Sequence, residues 1–517
     1  MTRKRQWVLH PFLFCIYPIV TMVAHNISEM RLLDALRLLI VSSLVTAALF
    51  IFLKALLRDW ARAALVCSLA VLLFFSYGHV YNLFRDSSVF GVYLFRHRLL
   101  GFLWLGFFLL GCWWIIRKLR DPRPVSSALN FVAAFALAIP LFNIVSYQVR
   151  TADVQASQPA LESYVPAGGG GQALPDVYYI ILDGYSRHDY LLQGFNYDNA
   201  PFLEALRQRG FFIGECSQSN YNQTRQSLVS SLNMNYVTSV FPETYQNLNQ
   251  VDVYKKGLER YIKNSQVREN FEKLGYTTVA METGFPWTEI DDADVFLTRE
   301  GRGTSLNLLA GVNAFELLMI RSSALLFLSA VSPQVADVLL PELNYPNKDH
   351  RDRVLFALDS LEELSSAPGP KFVFAHIVSP HEPMVFGPNG ETLEREPSYD
   401  RGYPDQIAYL NKRIIPIVDA ILQNSPIPPV IIIQGDHGAR QNVGEYGRLG
   451  ILNAYYLPGG GDQGLYNSIS PVNTFRVLFN TYFGQNYELL EDISYKSPYT
   501  DPLNTIVIPN TPQGCDN

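Results

Sequence analysis

Over the first 150 positions apolar side chains run on almost without interruption, with charge nearly absent from 38–52 and 99–116; beyond them the pattern breaks into short apolar runs between amphipathic segments. A bilayer core takes about 20 apolar residues per helical crossing, and the first region divides into five such stretches, approximately 8–25, 35–57, 62–83, 98–117 and 127–147. The first has no small-residue cleavage site and further spans follow it directly, so it is expected to be a retained helix and not a removed leader. Basic residues favour one set of loops. Arg3, Lys4 and Arg5 precede the first stretch, Lys54, Arg58 and Arg62 lie between the second and third, and Arg117, Lys118, Arg120 and Arg123 between the fourth and fifth; the opposite loops hold Arg31, then Arg85, Arg96 and Arg98. The positive-inside rule puts the N-terminus in the cytoplasm and, after an odd number of crossings, the rest of the chain outside. The expectation is a multi-pass protein of the cell (inner) membrane with a periplasmic or extracellular C-terminal domain.

From Gln148 the sequence turns polar, and 151–174, which contains Gly168-Gly169-Gly170-Gly171, has the composition of a flexible linker. It separates a membrane domain, 1–150, from a water-exposed domain, 175–517. In the latter, Val177–Leu182, 372–377 and Val430–Gln434 are short, apolar and rich in β-formers, and helical patterns at 201–209, 265–274, 351–364 and 406–423 lie among them. Buried strands alternating with helices predict an α/β domain with a central, mostly parallel sheet covered on both faces. Residues 306–331 are apolar enough to raise a sixth crossing, but Asn313, Glu316 and Arg321 interrupt them. A core or interfacial helix is expected there instead.

Composition narrows the function classes. With 41 Lys+Arg against 47 Asp+Glu, a net charge of −6, the chain has no basic footprint for nucleic acid. Cys15, Cys67 and Cys112 fall in apolar runs and act as small hydrophobes, while Cys216 and Cys515 lie in the water-exposed domain, where an oxidising compartment would permit a disulfide.

In parallel sheets ligands gather beyond the carboxyl ends of the strands. Here those ends carry Asp183-Gly184, the segment Ser379-Pro380-His381-Glu382-Pro383, and Gly435-Asp436-His437-Gly438. Two carboxylates and an imidazole suit one divalent ion, zinc or manganese first, with magnesium or calcium as alternatives. A capping Asp or a hydrogen-bonded His explains any one of these residues alone, so the weight lies in their meeting at one edge. Thr224 opens a helical pattern at 226–233; a bound cation would lower its hydroxyl pKa, and the helix N-terminus would receive an anion. Threonine is also an ordinary helix cap. Arg187, Arg225 and Arg440 stand close in sequence to these residues and can grip a phosphate, although surface solvation is the better explanation for any single arginine.

Taken together, Asp183-Gly184, Thr224 with Ser227 three positions on, the His381-Glu382-Pro383 segment and Gly435-Asp436-His437-Gly438 occur in the order found in the alkaline phosphatase (sulfatase-like) superfamily. Within it the chain resembles the membrane branch of lipoteichoic acid synthases and phosphoethanolamine transferases. That resemblance implies a multi-span helical membrane domain ahead of an alkaline-phosphatase/sulfatase-like α/β domain. It implies one metal held by Asp183, Thr224, Asp436 and His437, with Thr224 also the nucleophile and His381 binding phosphoryl oxygens or protonating the leaving group. His376 compares either with a second-metal ligand of two-metal relatives or with a buried, hydrogen-bonded strand residue. The sulfatase Cys/Ser-x-Pro-x-Arg sequence is not matched by Cys216-Ser217-Gln218-Ser219-Asn220, which points away from sulfate esters. The implied activity moves a phospholipid head group of phosphoglycerol or phosphoethanolamine type from a membrane lipid donor to a cell-surface glycan or lipid acceptor through a phospho-threonine. Its rivals are a phosphodiesterase of the same fold and a catalytically inactive envelope scaffold.

Overall fold

The computed structural model describes residues 7–84, 96–156, 174–240, 251–299, 312–327, 347–393, 396–444 and 446–508. They form two compact units, Met1–Arg150 with Glu300–Pro346, and Thr151–Arg299 with Asn347–Asn517.

The first unit is helical: α1 (His10–His25), α2 (Leu36–Leu57), α3 (Trp60–Phe84), α4 (His97–Trp113) and α5 (Arg123–Ala156). Only a helix satisfies every backbone polar group within one segment, so long apolar runs adopt this form in lipid. Four stretches, Leu32–Leu57, Trp60–Phe84, His97–Lys118 and Arg123–Ala152, are long and apolar enough to cross a membrane. The fifth expected crossing is shorter. At 16 residues, α1 measures roughly 24 Å by helical rise, against a hydrocarbon core of about 30 Å. It nevertheless sits inside the bundle, where Phe14 and Cys15 pack with Phe50, Ala63, Ala64 and Cys67; the small side chains of α3 let the two helices approach closely.

The described part of 306–331 contains a helix at Ala314–Ser322. Its Phe315 and Met319 pack with Ile19, Val23 and Ala35 of the membrane unit, and Glu316 pairs with Arg37. The expectation for this segment is a core or interfacial helix; it groups with the apolar helices, because its apolar face and its buried Glu316 both find partners there. Nine residues are too few to cross a bilayer.

The second unit is built on a seven-stranded sheet in the order β2-β7-β6-β1-β5-β3-β4: β1 Val177–Leu182, β2 Phe212–Ile213, β3 Thr277–Met281, β4 Val295–Leu297, β5 Lys371–Ile377, β6 Val430–Gln434 and β7 Asn453–Tyr456. Strand β1 lies parallel between β5 and β6, and only β7 runs against its neighbours. Every residue of β1 is buried because both faces are covered. Tyr178, Ile180 and Leu182 join one core with side chains of the helices Lys348–Leu364 and Tyr399–Asn424, while Val177, Tyr179 and Ile181 join the other with Thr224–Leu232 and Pro471–Phe483. The strand alternation thus explains why the sequence run is continuously apolar. Cys216 is disulfide-bonded; Cys515 lies outside the described residues.

Candidate metal centre

The three central strands β6, β1 and β5 end side by side, so the residues that follow them share one edge. Asp183 leaves β1 with its N–H donating to the Ile377 carbonyl (2.9 Å) and its carbonyl accepting from the His381 N–H (3.0 Å), which ties the β1 and β5 ends together. Gly184 has a positive φ of 77°, and its N–H donates to Asp436 Oδ1 at 2.9 Å. A side chain would strain that turn. At Gly435 the constraint is proximity: a Cβ there would stand 2.5 Å from the Tyr185 carbonyl oxygen.

Asp183, Asp436 and His437 each present a ligand atom within 4.8 Å of the others, and their residues are 4%, 2% and 2% exposed. The His437 Nδ1–H donates to the Gly438 carbonyl at 2.9 Å. Its Nε2 lone pair therefore faces Thr224 Oγ1 at 3.2 Å, Asp183 Oδ1 at 3.6 Å and Asp436 Oδ2 at 3.5 Å. Asp183 Oδ1 and Asp436 Oδ2 are buried with no hydrogen-bond donor. Two anionic oxygens left bare in this way, beside an imidazole lone pair, fit a divalent cation, since without one each carries its desolvation cost uncompensated. This buried Asp/Asp/His cluster can hold a metal ion.

Thr224 is half-buried at the start of the helix Thr224–Leu232. That helix is anchored to the β6 loop because the Ser219 and Ser227 hydroxyls both reach the Asp436 carbonyl. Thus the serine three positions after Thr224 ties the start of this helix to the β6 loop.

The electrostatics are those of a prepared site. Burial alone would raise the Asp183 carboxyl, but the neighbouring His381 and the hydrogen bond with His376 work against it, and the carboxyl is held below the usual carboxylate range. Burial, followed by the Arg448 guanidinium, lowers His437 against the pull of Asp436 and Asp183, so the imidazole stays neutral as a ligand must be.

The remaining sequence candidates divide. His376, buried in β5, places Nε2 at 3.2 Å from Asp183 Oδ2. His381 is half-buried with its ring centroid 6.2 Å from that of His437, and its Nδ1–H donates to the Glu382 carbonyl at 2.7 Å. Arg187 points elsewhere: it donates twice to Asp189, both at 2.8 Å, and to the Ser217 carbonyl at 3.1 Å. Arg225 lies over the Trp287 ring at 4.2 Å, and Arg440, exposed, pairs with Glu382 at 3.0 Å.

Arg448 carries no motif and escaped the sequence reading. The chain after β6 folds back so that the Gly438 N–H donates to the Arg448 carbonyl at 2.6 Å. The side chain then donates from Nε to the Asn222 carbonyl at 2.7 Å, and its Nη2 lies 3.3 Å from His437 Nε2. Burial depresses its pKa, and among the described residues no carboxylate oxygen lies within ion-pair distance of it. Its guanidinium thus stands beside His437, with the Asp436 and Asp183 carboxylates pulling its pKa back up against burial.

No family model and no curated protein matches this sequence. Solved structures do. The integral membrane protein lipooligosaccharide phosphoethanolamine transferase A from Neisseria meningitidis aligns over 92% of this chain and 95% of its own at 12% identity, with a TM-score of 0.37. The C-terminal periplasmic domain of a phosphoethanolamine transferase from Campylobacter jejuni covers 64% of this chain and 94% of its own at 10% identity, TM-score 0.36. An alkaline phosphatase superfamily protein from Vibrio parahaemolyticus covers 68% and 81% at 11% identity, TM-score 0.37. These are likenesses of fold at low identity, and the chemistry rests on the side chains above.

Proposed function

We propose that this chain is a membrane-bound, metal-dependent phosphotransferase that moves a phospholipid head group onto a cell-envelope glycan or lipid through a phospho-threonine. The observation that carries the proposal is the convergence of the half-buried Thr224 hydroxyl on a buried cluster of two bare carboxylate oxygens and an imidazole lone pair, with an arginine alongside. Asp183, Asp436, His437 and Thr224 would hold one divalent ion. Bound there, the ion supplies positive charge that acidifies the threonine hydroxyl and offsets charge on phosphoryl oxygens. Zinc or manganese suits the mixed oxygen and nitrogen donors, with magnesium or calcium as alternatives.

In the first half-reaction Thr224 Oγ1, having lost its proton to solvent, forms a bond to phosphorus and the bond to the diacylglycerol oxygen breaks. Arg448 grips a phosphoryl oxygen, and His381 Nε2 delivers the proton that the departing oxygen needs. In the second, the acceptor hydroxyl gives its proton to His381 as its oxygen bonds phosphorus, and the Thr224–phosphorus bond breaks. The position of α1 within the bundle supports a fifth crossing, and five crossings with the basic loops inside would put 175–517 on the outer side, where a lipid donor and an envelope acceptor are both at hand.

The test supplies head-group-labelled phosphatidylethanolamine or phosphatidylglycerol to the purified, metal-loaded protein, with and without glycan acceptor. Label on the acceptor and on the Thr224 peptide supports transfer. Label released only to water makes the protein a phosphodiesterase, and full turnover by Thr224→Ala, or no stoichiometric metal in the isolated protein, refutes the reading.

A further inference from the structure

Beside the metal cluster, on the far side of His376, lies a second set of buried polar groups. A cavity of about 10 Å³ is lined by Glu282 and Thr283 after β3, by His350 and Arg353 on the helix Lys348–Leu364, and by His376 on β5. Three of its lining atoms, His350 Nε2, Arg353 Nε and His376 Nδ1, are buried without a protein partner. Their protonation follows from their other contacts. His376 Nε2 faces Asp183 Oδ2 at 3.2 Å, so Nε2 carries the hydrogen and Nδ1 the lone pair. His350, in the tautomer with its hydrogen on Nδ1, presents a lone pair on Nε2. Arg353 donates from Nη1 to the Thr283 carbonyl at 3.3 Å and pairs through Nη2 with Asp349, so its Nε–H remains to be given.

The wall thus offers one donor and two acceptors around a space the size of one solvent molecule. A cation is disfavoured by the Arg353 guanidinium in the wall, and an anion by the two imidazole lone pairs. A molecule with two donors and one acceptor satisfies all three atoms, and about three hydrogen bonds is what buried waters make.

We propose that this cavity is a structural water site, and that His350 and Arg353 act through its water as positioning residues for the metal ligand Asp183. The water accepts from Arg353 Nε–H and donates to His350 Nε2 and His376 Nδ1. It thereby locks His376 with its Nε2–H on Asp183 Oδ2, which turns Oδ1 toward the cluster and keeps it for the ion. Outer-shell partners of this kind fix the orientation of metal-bound groups. The inference rests on the proposed metal role of Asp183, but not on the reaction catalysed.

The experiment measures the zinc dissociation constant of the full-length protein in detergent by chelator competition, with melting temperature recorded alongside. His350→Phe, close in shape but without an acceptor, is expected to weaken zinc about 10-fold or more, and His350→Gln, whose amide oxygen accepts, to restore it to within about threefold. A merely structural role would lower the melting temperature and leave the zinc constant alone. A folded His350→Phe that binds zinc as tightly as the unaltered protein overturns the relay, whereas an unaltered protein that binds no zinc overturns the metal reading and the relay with it. If His350→Phe does not fold, a high-resolution structure of the unaltered protein decides: solvent density is expected within hydrogen-bond distance of His350 Nε2, Arg353 Nε and His376 Nδ1, and its absence where other buried waters are visible refutes the site.

Discussion

Replacing Arg448 with methionine keeps a similar stem and removes only the guanidinium. In the folded protein that group donates two hydrogen bonds, to the Asn222 carbonyl at 2.7 Å and to the His437 Nε2 lone pair at 3.3 Å. Their loss costs on the order of 3 kcal/mol, a fraction of the stability of an ordinary domain, so the fold should survive. Repulsion between the guanidinium and an ion on His437 disappears, so metal affinity should hold or rise. On the proposed mechanism what is lost is a charge-assisted contact to the phosphoryl group, of about 1.5–3 kcal/mol, which corresponds to a roughly 10- to 150-fold fall in kcat/KM. The assay is head-group transfer at saturating metal, with metal content and melting temperature measured on the same preparation. An Arg448→Met protein that keeps its metal and retains kcat/KM within about threefold of the unaltered protein would refute the assignment.

Other consequences follow from the same geometry. Thr224→Ala should abolish transfer while the melting temperature barely moves, because the hydroxyl is half-buried and its helix is held by Ser227; Thr224→Ser should retain part of the activity, and the labelled-lipid assay reads both. Gly435→Ala should weaken metal binding and lower the melting temperature, since the new Cβ would press on the Tyr185 carbonyl at 2.5 Å and push Asp436 out of place; an alanine variant with unchanged metal affinity counts against that contact. Acid should destabilise the metal-free protein. Burial, followed by Arg353 and His381, lowers His350 from 6.5 to about 3, and His437 is lowered too. The unfolded chain therefore binds these protons first, and the stabilisation present above pH 6.5 is lost as pH falls toward 3. Melting curves from pH 7 to about 4 should show a steady fall, and a flat profile would contradict the burial of these imidazoles as neutral groups.

Much of the molecule was legible in the sequence for local reasons. Unbroken apolar runs permit only helices in lipid, and the doubly covered strands β1, β5 and β6 announce themselves because both faces must be apolar. Asp183, Asp436 and His437 stood out because a parallel sheet delivers its carboxyl ends to one edge. Tertiary structure decided the rest. That Ala314–Ser322 joins the membrane helices depends on Arg37 meeting Glu316 and on where Phe315 and Met319 find apolar neighbours, contacts between residues far apart in the chain. The same holds for the arginines: those nearest the motifs in sequence were drawn off by Asp189, Trp287 and Glu382, while Arg448 was brought back to His437 by a backbone pairing with Gly438. His350 and Arg353 carried no signal at all. Hydrophobic period and strand-end chemistry are properties of short segments, whereas the partner of a charged or titratable side chain is set by the packing of the whole domain.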